Sequence, residues 1–269
     1  MDALITGTST GIGYATALRL HEEGYRVWAG VRNESDKNKL LESTKFSARM
    51  CPLILDVTCQ EDIDKAYQTI LTSGAKINVL VNNAGIAVVG VLEFVPQQEI
   101  KKLFDVNVFG LLAVTQKFLP MLRETQGRLI NISSIAGRTV TPGLSPYNAS
   151  KHCVEVFSDA LRIELKPFNV RVVLIEPGTI ETPIWNKQLG QIAVQSPYEK
   201  ICNSFNFILG RISQNGLPPE EVSEVIFHSI KTKNPCARYL VGRSAKMLAL
   251  QSLLPSFIKD FLIARVFRV

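Results

Sequence analysis

The sequence predicts a single α/β domain, doubly wound around a mostly parallel sheet of about seven strands with helices on both faces. Three observations carry that reading. Short runs rich in Val, Ile and Leu alternate with longer helical patterns through the first two-thirds of the 269-residue chain. Many of those runs are apolar throughout, as strands covered on both faces are. No repeat of fixed period and no Gly/Ser-rich linker divides the chain, so repeated β-α units with right-handed crossovers are the simplest account.

The strands fall in order at 3–6, 26–31, 50–55, 79–82, 128–132 and 170–175, with a last one at 237–241. A helix over 10–23 carries Ile12, Ala15, Leu18 and Leu20 on or near one face and stops at Gly24. A second spans 145–166, where Pro167 ends it. The segment 184–218 breaks the alternation and holds Trp185, Tyr198, Phe205 and Phe207. It reads as a lid over a substrate site or as an ordinary peripheral helix pair. The tail over 245–269 sets Leu250, Leu254, Phe257 and Phe261 at helical spacing beside Lys246, Lys259, Arg265 and Arg268. It reads as a membrane-surface helix, or as a helix that covers the pocket or packs on another subunit.

Composition narrows the function. Hydrophobic residues at 46% against 20% charged allow a full core and exclude a disordered chain. The net charge of +6 suits an anionic small ligand, but there is no dense basic run, so no nucleic-acid partner is expected. Five cysteines without a CxxC pair give neither a disulfide framework nor a zinc site. His21, His152 and His228 are scattered, and no catalytic metal is expected. No apolar run approaches the length of about 18 residues that spans a membrane. The chain enters a strand pattern at once, with no secretory signal, so a cytoplasmic location, or one peripheral to a membrane, is expected.

The first strand runs into Thr6-Gly7-Thr8-Ser9-Thr10-Gly11-Ile12-Gly13. Glycines between a strand and a helix let the backbone approach a pyrophosphate, and the helix N-terminus offers free N–H groups and a favourable dipole. Alone, the pattern is equally a tight turn. Three further motifs follow: Asn82-Asn83-Ala84-Gly85, Tyr147 with Lys151 four residues on, and Pro177-Gly178 leading to Thr182. In this order, over roughly 3–182, they resemble the TGxxxGxG, NNAG, YxxxK and PGxxxT motifs of the classical short-chain dehydrogenase/reductase family. The resemblance implies a Rossmann-type fold. It places Gly7, Thr8, Ser9, Gly11, Ile12 and Gly13 at the pyrophosphate and Asp56 and Val57 at the adenine. Asn82 and Gly85 would wall the adenine side, Ile180 and Thr182 would hold the nicotinamide carboxamide, and Asn83, Ala84, Pro177 and Gly178 would also bind the cofactor. Asp56 reads alternatively as a helix cap or turn former, and the Asn-Asn-Ala-Gly run as a structural turn that stabilises the sheet.

Cofactor choice rests on the end of the second strand. An NAD site usually carries an acid there to grip the ribose hydroxyls. Here Val31 holds the position and Arg32 follows, whose guanidinium can bind a 2′-phosphate bidentately. NADP(H) is therefore expected over NAD(H), although Thr10 stands where many NADP-preferring relatives carry a second basic residue.

Hydride addition to a carbonyl leaves an alkoxide that needs a proton, and the reverse reaction must remove one. A free tyrosine, with a pKa near 10, is a poor base at neutral pH, and a nearby cation lowers that value. Tyr147 and Lys151, four apart in a helix, share a face. Through the resemblance both also touch the cofactor, Lys151 at the nicotinamide ribose. A hydroxyl at Ser133 or Ser134 can stabilise developing charge on the substrate oxygen; the family's spacing selects Ser134. Asn107 matches the family's fourth catalytic residue, holding a water in a relay to the lysine, and is also a polar residue able to distort an apolar helix.

The resemblance thus implies an oxidoreductase acting between NADP(H) and an apolar alcohol, ketone or aldehyde, loosely like the retinoid and hydroxysteroid members, as a homodimer or homotetramer. Segments 139–144 and 184–218 would face the nicotinamide. A non-catalytic NADP(H) sensor is the main alternative, but such proteins often lose the tyrosine or lysine kept here. An epimerase or dehydratase of the extended branch carries a different glycine spacing. A purely structural protein leaves the co-occurring motifs unexplained.

Overall fold

The computed structural model describes residues 1–186, 197–214 and 216–269. Seven strands form one sheet: β1 (Asp2–Ile5), β2 (Arg26–Val31), β3 (Met50–Ile54), β4 (Ile77–Asn82), β5 (Arg128–Ile132), β6 (Arg171–Pro177) and β7 (Arg238–Val241). They lie in the order β3-β2-β1-β4-β5-β6-β7, and every ladder is parallel. Strand β4 starts at Ile77, earlier than the sequence pattern suggests, because Ile77 is fully buried and pairs with Asp2.

Alternation along the strands splits the core into two layers. Ala3 and Ile5 of β1 join Val27, Val79 and Val81 on one face; there α1 (Gly11–Glu22), α2 (Glu34–Ser43) and α9 (Pro219–Lys231) contribute Leu20, Leu40 and Ile226. Leu4 points to the other face with Trp28 and Leu80. It meets Ile63 of α3 (Gln60–Thr72), Phe118 of α5 (Leu111–Thr125) and Leu165 just beyond α6 (Ser145–Glu164). Strands buried on both sides are therefore largely apolar, the pattern the sequence displays, with Asn82, Asn131 and Glu176 as buried polar exceptions toward their carboxyl ends.

Helix α6 starts with Pro146 in its first turn, where a missing N–H costs nothing. It ends at Glu164, and a short 3₁₀ turn over Lys166–Phe168 uses Pro167 before Asn169 takes a left-handed conformation at φ 56°. Between α4 (Gln97–Phe104) and α5 the backbone widens into a π-helical turn, Asp105–Gly110. After β6 come α7 (Pro183–Asn186) and α8 (Glu199–Gln214); α10 (Arg243–Gln251) and α11 (Ser256–Phe267) follow β7. Helix α11 lies on α8, where the Ser204 hydroxyl donates to the Phe267 carbonyl at 3.3 Å. The expected lid over 184–218 falls partly on 187–196 and 215, outside the described residues, as does the side chain of Trp185.

Candidate active site

A cavity of about 370 Å³ opens at the carboxyl ends of the strands, lined from Gly7 and Arg32 at one end to Ser134, Tyr147 and Lys151 at the other. It spans β1 and β4, where the strand order reverses, the place at which open parallel sheets bind ligands.

Its first wall is the glycine turn. Gly7 and Gly11 have φ of +69° and +59°, conformations that side chains resist. A Cβ on Gly13 would sit 2.3 Å from the Gly7 carbonyl oxygen and 2.4 Å from Asn83 Nδ2. The turn is braced from β4: Asn83 Nδ2 donates to the carbonyls of Thr6 and Gly7 at 3.0 and 2.9 Å. The Thr6 hydroxyl accepts from the backbone N–H groups of Asn83 and Ala84, each at 3.0 Å. Thr10, which precedes α1, makes no side-chain cap bond, and the first turn of α1 has no acid. The positive end of the α1 dipole therefore points into the cavity without a competing charge.

Of the residues expected at the cofactor, Gly7, Ser9, Gly11, Ile12, Arg32, Asp56, Val57, Asn83, Ala84, Gly85, Pro177, Gly178, Ile180 and Thr182 all line the cavity. Thr8 and Gly13 do not. Thr8 is fully buried and ties the turn to β2 through the Gly30 carbonyl, its hydroxyl at 3.0 Å and its N–H at 2.9 Å. Asn82, expected on the adenine wall, is instead sealed under the sheet end, donating to Thr115 Oγ1 at 2.8 Å and Asn131 Oδ1 at 2.9 Å. Its side chain points into the core because alternation along β4 sends it there and leaves the next residue free to meet the turn. Asp56 Oδ1 accepts from the N–H and hydroxyl of Thr58 at 2.9 and 2.7 Å, a turn-forming role alongside its place on the wall.

At the other end, Ser134 hydrogen-bonds the Tyr147 phenol. The Ser134 hydroxyl also accepts from the Ala136 N–H at 3.1 Å. Ser133 Oγ is buried without a hydrogen-bond partner in the structure and faces Gly137, so of the two serines it is Ser134 that engages the tyrosine. Lys151 Nζ donates to the Ile132 carbonyl at 2.8 Å and lies 6.0 Å from the Tyr147 ring centre. In this cleft, burial outweighs the neighbouring lysine in setting the state of the phenol. Burial dominates and pushes the Tyr147 phenol up to about 12, opposed by the Ser134 hydrogen bond. Burial likewise brings Lys151 down to about 8, against the pull of the Glu155 carboxylate.

Asn107 sits inside the π-helical turn, fully enclosed, one residue behind the wall. Its Oδ1 accepts from the Ile86 N–H at 2.8 Å, and its Nδ2 donates to the Ile86 carbonyl at 2.9 Å and to Ser150 Oγ at 3.1 Å. A Cβ on Gly85 would lie 3.4 Å from Asn107 Oδ1 and 3.8 Å from Lys151 Nζ, so the three meet at one point. The widened turn aims the amide at this point instead of leaving it in a helix ladder.

Behind Lys151 stands a charge network that sequence reasoning missed. Glu155 and Asp159 follow Lys151 at four-residue steps along one face of α6. Arg238 of β7 pairs with Glu155 and Glu176 at 3.0 Å each and with Asp159 at 2.7 Å, and Arg138 adds a contact to Glu176 at 3.3 Å. Burial holds the Glu176 carboxyl above its usual range. The i, i+4 spacing of Lys151 and Glu155 was the available signal. Thr58, Lys102 and Asp105 also line the cavity, and nothing in their local sequence marks them. His152 Nδ1 contacts the Gly137 carbonyl at 2.8 Å, away from the tyrosine. Among the described residues, no group of three or more His, Cys, Asp or Glu side chains is placed to hold a metal.

The family model described as short chain dehydrogenase matches residues 2–192. The chain is 37% identical to the NADPH-dependent 3-dehydrocapnine reductase of Ornithobacterium rhinotracheale, over 96% of this chain and 94% of that one. In fold it is similar to a short-chain dehydrogenase from Streptomyces avermitilis, with a TM-score of 0.84, 28% identity, and coverage of 99% and 97% of the two chains. It is similar also to 3-ketoacyl-(acyl-carrier-protein) reductase from Brucella melitensis complexed with NADH, with a TM-score of 0.73, 26% identity, and coverage of 90% and 98%.

Proposed function

Because the chain belongs to the short-chain dehydrogenase family, we propose that it moves a hydride between NADP(H) and an apolar ketone, aldehyde or alcohol, with Tyr147 as proton donor and acceptor. The observation that carries the reading is the hydrogen bond between Ser134 and Tyr147 beside Lys151 on the cavity wall, opposite the braced glycine turn. The turn fits a dinucleotide: a Cβ at Gly7 would fall 2.8 Å from Ala84 Cα, so only bare backbone leaves the cradle open. When bound, the nicotinamide supplies or accepts the hydride. Ser134 orients the phenol and donates toward the oxygen on which charge develops. Tyr147, protonated because its surroundings are dry, gives its proton to that oxygen in the reductive direction and recovers it in the oxidative one. Lys151 holds a positive charge next to the phenol as it ionises, and Asn107 fixes the Gly85–Ile86 backbone against which the lysine lies.

The choice of NADP(H) is supported by Arg32, which lines the cavity, and by the lack of a carboxylate at Val31. Asp36, the first acid beyond Glu34, is held by Asn33 at 2.9 Å. The NADPH-dependent relative points the same way. An apolar substrate is supported by the cluster around Tyr147, in which Leu144, Cys202, Phe205 and Phe267 are buried. A homo-oligomer is supported by the outer face of α6, where Val156 and Ile163 are exposed at 56% and 74%.

The test is NADPH oxidation against a panel of apolar ketones and aldehydes, run beside NADH and the Tyr147→Phe variant. Turnover with NADPH should fall by roughly 10²–10⁴-fold in the variant, with cofactor affinity preserved. Full activity in Tyr147→Phe would remove the assignment. Faster turnover with NADH than with NADPH would reverse the cofactor choice.

A further inference from the structure

Helices α10 and α11 turn an apolar surface to solvent. Met247, Leu250, Leu253, Phe257, Phe261 and Val266 are each more than half exposed, with Phe257 at 74%. Phe257 and Phe261 lie one turn apart, so they share the outer side of α11, while Ile263 and Phe267 on its inner side belong to the apolar cluster that contains Tyr147. A helix apolar on both sides has no face suited to water. The surrounding charge is one-sided: from Arg243 to Val269 there are five cations, Arg243, Lys246, Lys259, Arg265 and Arg268, against one acid, Asp260.

That charge selects the occupant. A two-fold contact between copies lays a patch on itself, setting these cations against their own counterparts. An anionic lipid surface offers what the patch needs: an acyl boundary for the phenylalanines and leucines, and phosphates for the cations, whose long stems reach outward past apolar neighbours. No helix among the described residues is long and apolar enough to cross a membrane, so contact is with the surface. We propose that the α10–α11 face seats this protein on an anionic lipid bilayer. Since Ile263 and Phe267 on the inner side of α11 belong to the apolar cluster that contains Tyr147, an apolar substrate dissolved in the bilayer would enter beside the docked helix. That last step rests on the reaction proposed above; the docking does not.

The experiment is co-sedimentation of the full chain with phosphatidylcholine vesicles and with phosphatidylcholine–phosphatidylglycerol vesicles, at low and high salt. The expected result is binding to the anionic vesicles, weakened by salt and by roughly fivefold for each charge removed in Arg265→Gln and Arg268→Gln. Phe257→Ser/Phe261→Ser should stay in the supernatant. It should keep wild-type thermal melting and wild-type turnover of a water-soluble ketone. Equal recovery of wild type with and without phosphatidylglycerol overturns the proposal, as does sedimentation of the serine variant like wild type. So does a lipid-free assembly that the serine variant dissociates without any vesicle binding, which would make the face a contact between copies. The vesicle, melting and assembly readings do not depend on finding a substrate.

Discussion

Lys151 carries its charge in surroundings that disfavour it. Burial brings it down to about 8, and only the Glu155 carboxylate one turn along α6 pulls the other way. Removing that carboxylate in Glu155→Gln lowers the lysine further, so its proton is lost at a lower pH. The limb of the kcat/KM profile that reports Lys151 should therefore move toward acid, while Glu155→Asp should restore much of the wild-type profile. An unmoved limb would leave Glu155 with only its pairing to Arg238. At the far end of the cleft, Arg32→Ser should weaken NADPH binding by roughly 10–100-fold, the worth of charge-assisted hydrogen bonds, and leave NADH nearly unaffected. Fluorescence titration with both cofactors checks this. At this scale the sequence is legible where chemistry is local. Tyr147 and Lys151 meet because four residues make about one helical turn, and the glycines show because nothing else tolerates their backbone. The environment of Tyr147 is not legible in the same way. Its dryness comes from Phe205 and Phe267, brought in from distant parts of the chain, and that burial decides the phenol's pKa.

At the scale of elements, the junction of β1, α1 and β4 has no slack. Gly13→Ala places a methyl within 2.5 Å of both the Gly7 carbonyl and the Asn83 amide, so the turn must open or α1 must shift. A loss of about 1–3 kcal/mol in urea unfolding is expected, with cofactor binding reduced in parallel. Unchanged stability would mean that α1 moves freely against the sheet. The strands were readable because burial on both faces imposes a largely apolar run, and Pro167 marked where α6 had to finish. A distortion at Asn107 was legible in the sequence, but not its π-helical form over Asp105–Gly110, since the partners that hold the Asn107 amide, Ile86 and Ser150, come from other parts of the chain. The amide of Asn83 shows the same limit: its motif was visible, but its role as a brace needs the position of β1.

For the whole molecule, the outer side of α6 and the outer side of α10–α11 both turn apolar side chains to solvent. Ile163→Glu/Val156→Glu places charge on the first and should shift sedimentation velocity toward a single chain, with the site intact. A mass unchanged by the double substitution would move the subunit contact elsewhere. The sheet order carries one more consequence. A ribosome releases this sheet from its centre outward on one side only. Strand β1 emerges first yet belongs beside β4, and β2 and β3 must wait next to it with one edge open. Until Asn83 leaves the exit tunnel, the glycine turn lacks its brace, so a nascent chain acquires its grip on a nucleotide only when the second half of the sheet begins to form. During that interval the open β1 edge is the place where an unfinished chain can pair wrongly.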